Sequence, residues 1–507
     1  MTTTSYDAGA VRLELPEVSQ LVAGRWSVPS ERLDLVLEDP FLGTQLGSAV
    51  ATGAEDVERA GAAAAAAYQS GAWVRMSPGA RADVLDAIAT ELEEEVPRLA
   101  ALEAFATGVP VSQTSIVGVI VPGAFRLAAQ MLRGGALLEV LDGPAGHPVE
   151  VHRLPLGPAL CLVPWNAPAP MAAHKVASSL AAGCPTILKP SEFAPYATTE
   201  MARVVSRVLA DAGLDSGADV GTFQLVQGGP AVGGALVRDP RVRAVSFTGG
   251  LEGGRAIATA CAPDFTATQL ELGGNNALIV LPDADPTDAA RAAVDLLTTL
   301  NGQWCRALGR LILPADSADE ILRLALERLA GLRTGDPLDP ATELGPVVHS
   351  AHLARLRAAI ADRVALGGTA AATTPLPDGG HFLAPTLLTG VASEDALHEV
   401  FGPVATVHVY RDVDGDDGAV ALANATPYGL EGYVVGADTE RALNVARRVR
   451  AGEVKVNGST IMSLHLMTPR PAWGLSGLGE EGTLETIRVF TGARVVGLEG
   501  GFALHSR

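Results

Sequence analysis

Cys305 stands in the segment Asn301-Gly302-Gln303-Trp304-Cys305-Arg306, one of four cysteines in a chain of 507 residues. A thiolate can attack a carbonyl carbon and carry the acyl group as a thioester, dividing one difficult step into two easier ones. A lone cysteine serves equally well as a small buried hydrophobe, so its neighbours decide between the two readings. Glu271 lies 34 positions upstream in Glu271-Leu272-Gly273-Gly274, where the paired glycines let backbone approach closely. A carboxylate near a thiol can act as general base, for the thiol or for a water that later attacks a thioester. Alone, Glu271 could also be a surface acid capping a turn. Asn166, in Pro164-Trp165-Asn166, offers an amide that can donate to a developing oxyanion, with the backbone N–H of Cys305 as second donor. Asparagine between prolines is also a common turn residue. Trp304 and Arg306 flank the thiol and could line a substrate tunnel. Arg306 could lower the thiol pKa, hold a substrate carboxylate, or sit in a structural ion pair, the last being the favoured reading.

The elements that must position these residues read as an α/β chain. Residues near 55 to 110 read as helix, opened by Glu55-Asp56 and filled by the run Ala62 to Ala67, with a break or kink expected at Pro97. From about 157 onward, short apolar runs alternate with helical patterns. Leu160 to Val163 leads into Pro164-Trp165-Asn166, Thr186 to Leu188 into Lys189-Pro190-Ser191-Glu192, and Ala244 to Phe247 into Thr248-Gly249-Gly250. A fourth run, Ala277 to Leu281, follows Gly273-Gly274. Strands separated by helices predict a parallel, doubly wound sheet whose ligand sits at the carboxyl ends of its strands. A second such series is expected from about 310 to 457.

Composition narrows the class. Hydrophobic residues at 48% and charged residues at 19% fit a globular enzyme, and the length predicts two or three domains. A formal charge of −20 disfavours nucleic acid and anionic membranes as partners. No signal peptide is evident, and no stretch reads as long and apolar enough to span a bilayer, so the expected location is cytoplasmic. Neither the cysteines nor His174, His349, His381 and His465 have metal-ligand spacing, so no metal is expected.

Taken together, the segments resemble the aldehyde dehydrogenase superfamily, from about residue 20 to about 495. Pro164-Trp165-Asn166, Lys189-Pro190-Ser191-Glu192, Phe247-Thr248-Gly249, Glu271-Leu272-Gly273-Gly274, Gly302-Gln303-x-Cys305, Glu399-Val400-Phe401-Gly402-Pro403-Val404 and Asn424-x-x-x-Tyr428-Gly429-Leu430 follow the family's motifs in order. The resemblance implies a Rossmann-like NAD-binding domain at 1–133 and 155–273, an α/β catalytic domain at 274–472, and a small β element for oligomerisation at 134–154 and 486–498. It implies that Cys305 forms a thiohemiacetal, that Asn166 and the Cys305 N–H hold the oxyanion, that hydride passes to NAD, and that Glu271 activates the hydrolytic water. Cofactor contacts are implied at Trp165, Lys189, Ser191, Glu192, Gly249, Gly250, Gly254, Leu272, Glu399 and Phe401. The Glu192 carboxylate predicts NAD over NADP, because it repels a 2′-phosphate. Trp304, Arg306 and His465 are the implied substrate-pocket residues. A homodimer or homotetramer acting on a small-molecule aldehyde is expected.

Two departures from the family pattern bear on binding. Gly250 stands where the family normally has Ser, which predicts weaker cofactor binding. The usual Pro-Phe-Gly-Gly-x-Lys-x-Ser-Gly stretch is altered to Pro471-Ala472-Trp473-Gly474-Leu475-Ser476-Gly477 and reads as two residues shorter, so a relative's substrate does not transfer. Rival activities are transfer of the thioester to coenzyme A, disfavoured by the retained Glu271, and an esterase or a silent scaffold on the same fold.

Overall fold

The computed structural model describes residues 4–8, 11–143, 146–214, 216–411 and 413–499. Two predominantly parallel sheets organise these residues. In the first, five parallel strands lie in the order Ala267–Glu271, Ala244–Thr248, Ala159–Leu162, Thr186–Lys189 and Phe223–Leu225. Antiparallel strands Gly477–Leu478 and Gln20–Val22 flank them, with Arg25–Ser27 outermost. The chain starts at Ala159–Leu162, moves outward through Thr186–Lys189, then returns to the other side at Ala244–Thr248. That reversal opens a crevice at the carboxyl ends of the strands, where ligands of such sheets bind. Ala159, Leu160, Cys161 and Ile187 are fully buried, as a sheet covered on both faces requires.

The second sheet begins at Asn276–Val280, five residues past Ala267–Glu271, the last of the five parallel strands in chain order. The run Ala277 to Leu281, read from sequence with the first series, therefore belongs here, between Leu308–Pro314 and Glu431–Val435. Its alternation with helices was legible in the pattern; its place outside the first sheet came only with the resemblance, which put residues 274–472 in the catalytic domain, because an apolar strand carries no label for its neighbours. Val404–Tyr410, Thr386–Thr389 and Glu453–Val456 extend the sheet in parallel, and Thr369–Ala371 closes one edge antiparallel.

A third, antiparallel sheet joins Leu138–Asp142 and Pro148–Pro155 to Thr491–Gly497. The residues before its last strand, Thr483–Val489, form a helix instead of continuing the strand.

Two further expectations are corrected. Pro97 neither breaks nor ends its helix, which runs unbroken over Pro78–Thr107. Proline removes the N–H that would bond the carbonyl of Glu93, but Pro97 and Glu93 are both exposed, so water can satisfy that carbonyl. Leu92, Leu99, Ala100 and Leu102 stay buried and hold the helix in place. Second, Val111–Arg133 is long and apolar enough to cross a bilayer by length and composition, contrary to the sequence expectation. It is two helices, Val111–Gly118 and Ile120–Arg133, and Val121, Phe125, Ala128, Ala129 and Leu132 pack into the main core.

Candidate active site

The carboxyl ends of the first sheet face the amino ends of the second, and the residues with chemical potential come from those ends. Asn166 follows Ala159–Leu162, Gly249 and Gly250 follow Ala244–Thr248, and Glu271 ends Ala267–Glu271. From the opposite side, Cys305 and Arg306 precede Leu308–Pro314, Glu399 and Phe401 precede Val404–Tyr410, and Glu431 and Glu453 open their strands. A cavity of about 380 Å³ between the two sheets is lined by Trp165, Asn166, Gly249, Gly250, Glu271, Leu272, Trp304, Cys305, Arg306, Glu399 and Phe401.

The thiol's loop is held by strained, well-anchored backbone. Leu300, Asn301 and Gly302 have φ of 50°, 56° and 69°, a left-handed run that only glycine adopts freely. The Asn301 amide offsets that cost. It donates to the carbonyls of Gly108 (2.8 Å) and Pro346 (3.0 Å), and its oxygen accepts the Gly345 N–H (3.0 Å). Gln303 accepts the Val348 N–H at 2.9 Å. Beyond the thiol, Asn276 donates to the carbonyls of Cys305 (2.9 Å) and Ala307 (2.8 Å), and the Tyr433 hydroxyl donates to that of Arg306 (2.9 Å). A Cβ at Gly274 would come within 2.6 Å of the Cys305 carbonyl oxygen, so this position must be glycine.

Asn166 Nδ2 donates to the Gln303 carbonyl at 2.9 Å, which brings the amide to the thiol's loop. The helix Pro168–Ala182 that follows is fixed at its start by buried Glu103, which accepts the Ala169 N–H at 2.6 Å.

Burial dominates the electrostatics. It pushes the Cys305 thiol up to about 12, against the opposing pull of Arg306, so at neutral pH the thiol needs a base. Glu271 is raised to about 8, first by burial and then by the carboxylate of Glu481, while Lys175, Arg306 and Arg470 pull the other way. Its Oε1 is buried without a hydrogen-bond partner. Burial also raises Glu399, to about 7, although its Oε1 accepts the Gly274 N–H at 3.0 Å. Burial opposes ionisation of Glu481 too, but Arg470, His174 and Lys175 outweigh it and hold that carboxyl low.

Arg306 is engaged in a structural ion pair. Its Nε lies 2.9 Å from Glu431 and its Nη1 3.1 Å from Glu453, and Lys455 Nζ meets Glu431 at 2.7 Å. Lys189 and Glu192 form an ion pair at 3.7 Å outside the lining of the main cavity. Ser191 is buried nearby, and Glu192 lines a neighbouring surface pocket with Tyr196 and Gln227. Gly254 lets the helix Leu251–Cys261 approach Leu272, whose side chain a Cβ there would meet at 2.6 Å. His465 is the expected pocket residue that the fold turns away. It is exposed, and its Nδ1 accepts the Met467 N–H of its own loop at 3.1 Å.

The crevice can accept a dinucleotide. Gly250 is the N-cap of Leu251–Cys261 and supplies no side-chain cap, so the first N–H groups of that helix lack a side-chain acceptor at the cavity wall. The buried Thr248 Oγ1 beside them also lacks a partner. Trp165 and Phe401 meet edge to face at 5.6 Å, forming an aromatic corner suited to a flat ring.

Sequence reasoning missed Asn276, Lys175, Arg470, Glu481, Glu431 and Glu453. Of these only Glu481 had a local signal, as a carboxylate just after the retained Ser476-Gly477-Leu478-Gly479.

Residues 27–496 match the Aldehyde dehydrogenase family, and the chain belongs to that family and is an enzyme of it. It is 33% identical over 472 residues to 3-succinoylsemialdehyde-pyridine dehydrogenase of a Pseudomonas species, covering 91% of this chain and 94% of the relative. It is 32% identical over 488 residues to geranial dehydrogenase of Castellaniella defragrans, covering 94% and 98%. Its fold superimposes on betaine aldehyde dehydrogenase of Staphylococcus aureus in complex with NAD+, with a TM-score of 0.88, 28% identity and 97% of each chain covered.

Proposed function

We propose that the chain oxidises an aldehyde to the carboxylic acid at Cys305, with NAD as acceptor. The observation that carries this reading is one cavity lined by a thiol, an amide and an acid with raised pKa, beside Glu399, Phe401 and Trp165. Glu271, near enough to bear on the ionisation of Cys305, takes the thiol proton. The thiolate adds to the aldehyde carbon, and Asn166 and the Cys305 N–H hold the resulting oxyanion of the thiohemiacetal. NAD, when bound, supplies a two-electron acceptor. Glu271 gives up the thiol proton to solvent. Once a thioester stands at Cys305, it accepts a proton from the attacking water, the C–S bond breaks, and the acid leaves as the Cys305 thiolate is restored. Its raised pKa suits a residue that must gain and lose protons near neutrality.

Residues 1–133 and 155–273 are proposed as the cofactor domain and 274–472 as the catalytic one. Lys189 and Glu192 would hold the adenosine ribose, which favours NAD over NADP. Glu399 would hold the nicotinamide ribose. The exposed side chains Leu138, Val140, Leu141, Val495 and Val496 on the third sheet support association of copies through the element 134–154 and 486–498.

The deciding experiment is NADH formation across a panel of aldehydes, with Cys305→Ala as control. Turnover by the wild type that Cys305→Ala abolishes is expected. Unchanged turnover in that variant would remove Cys305 from the mechanism.

A further inference from the structure

We infer that the pocket takes a neutral, apolar aldehyde and discriminates against aldehydes that carry a carboxylate. The inference rests on the aldehyde-oxidising reading of Cys305. Away from the cofactor residues, the cavity wall is Val117, Ile120, Met171, Leu300, Trp304 and Ile461. Such a wall rewards burial of apolar surface, and the unpartnered Trp304 Nε1–H, a single neutral donor, does not replace the water around an ion.

The pocket also contains cations, so the question is whether any is free for a substrate carboxylate. Arg306 is divided between Glu431 and Glu453. Arg470 pairs with Glu481 at 3.1 Å and donates to Ser463 at 3.1 Å, so its charge is already answered although its Nε has no partner. Arg355 is exposed, one helical turn from His352, whose ring meets Trp165 at 5.4 Å and Phe401 at 6.3 Å, so it belongs to the cofactor side. A carboxylate beside Cys305 would also face Glu271 and Glu481.

The rim has the same character. Ile461 and Arg470 both line the cavity, and Met462, Leu464, Leu466 and Met467 are exposed in the segment 462–469 that connects them. This segment is tethered at Leu464, whose N–H donates to Glu453 Oε1 at 2.7 Å, while the other oxygen of that carboxylate holds Arg306. The guanidinium next to the nucleophile thus helps position an apolar rim instead of receiving a charged tail.

The test compares kcat/KM with NAD for benzaldehyde and octanal against succinic semialdehyde. It is paired with calorimetric binding of the same aldehydes to Cys305→Ala, which cannot turn them over. The neutral aldehydes should lead by roughly tenfold or more in kcat/KM and bind more tightly to the variant. Equal or better kcat/KM, or tighter binding, for succinic semialdehyde overturns the inference. Tighter binding of the neutral aldehydes with no NADH from any substrate would sink the dehydrogenase reading and leave this one standing.

Discussion

The side-chain amide of Asn166 donates to the backbone carbonyl of Gln303 at 2.9 Å, two residues before the thiol of Cys305. One N–H of the amide is thereby spent on orientation and the other is left for an oxyanion. Asn166→Ala should lower kcat by about 10² to 10³, the usual loss for one oxyanion donor. The lost hydrogen bond should cost only about 1 kcal/mol of stability. Steady-state rates beside a thermal melt check both, and a fall in Tm with kcat intact would remove the catalytic role.

Glu271 must be ionised to accept a proton, and its pKa is raised to about 8 by burial and Glu481. The rate should therefore climb with pH through that value, because a raised acid loses its base form on the low-pH side. Glu271→Gln should lack this limb and run slower at every pH. Survival of the same limb in the variant would assign it to another group.

Arg306 compensates buried Glu431 and Glu453. Arg306→Met should destabilise the fold by about 3 to 5 kcal/mol, the usual cost of stranding a buried charge. Chemical denaturation measures this directly. Activity should fall equally on acidic and neutral aldehydes, since the residue acts through the fold.

Gly250 has extended backbone, φ −77° and ψ 156°, and a Cβ there would meet nothing within 4 Å. Gly250→Ser should be accommodated without strain, cap the helix Leu251–Cys261 for a few tenths of a kcal/mol, and add one donor at the crevice. Calorimetric titration with NAD should show tighter binding than wild type. Unchanged affinity would mean the dinucleotide does not reach this turn.

The chain has three lysines, Lys175, Lys189 and Lys455, and all are buried. An aldehyde condenses with free amines, so this surface offers lysine side chains no route to adducts. Peptide mapping after an amine-reactive acetylating reagent should find Lys175 and Lys455 unmodified in the native protein and all three modified after denaturation. Native labelling of Lys455 would contradict its burial against Glu431.

The residues proposed for the chemistry were readable because each lies in a short contiguous motif: Asn166 after a strand, Glu271 before paired glycines, Cys305 after Gly302-Gln303. Local backbone needs, such as a glycine where a Cβ would strike a carbonyl, are written into neighbouring positions. What tertiary structure decided is everything set by residues distant in the chain. Arg306 had three plausible uses until Glu431 and Glu453, more than a hundred positions away, claimed it. The environment of Glu271 depends on Lys175, Arg470 and Glu481, which come from different elements. Local rules expected a break or a kink at Pro97; the break does not occur, because burial of Leu92, Leu99 and Leu102 holds the helix together. His465 left the pocket because its loop folded back on itself. Burial, charge compensation and packing depend on which surfaces meet, and linear order carries only part of that information.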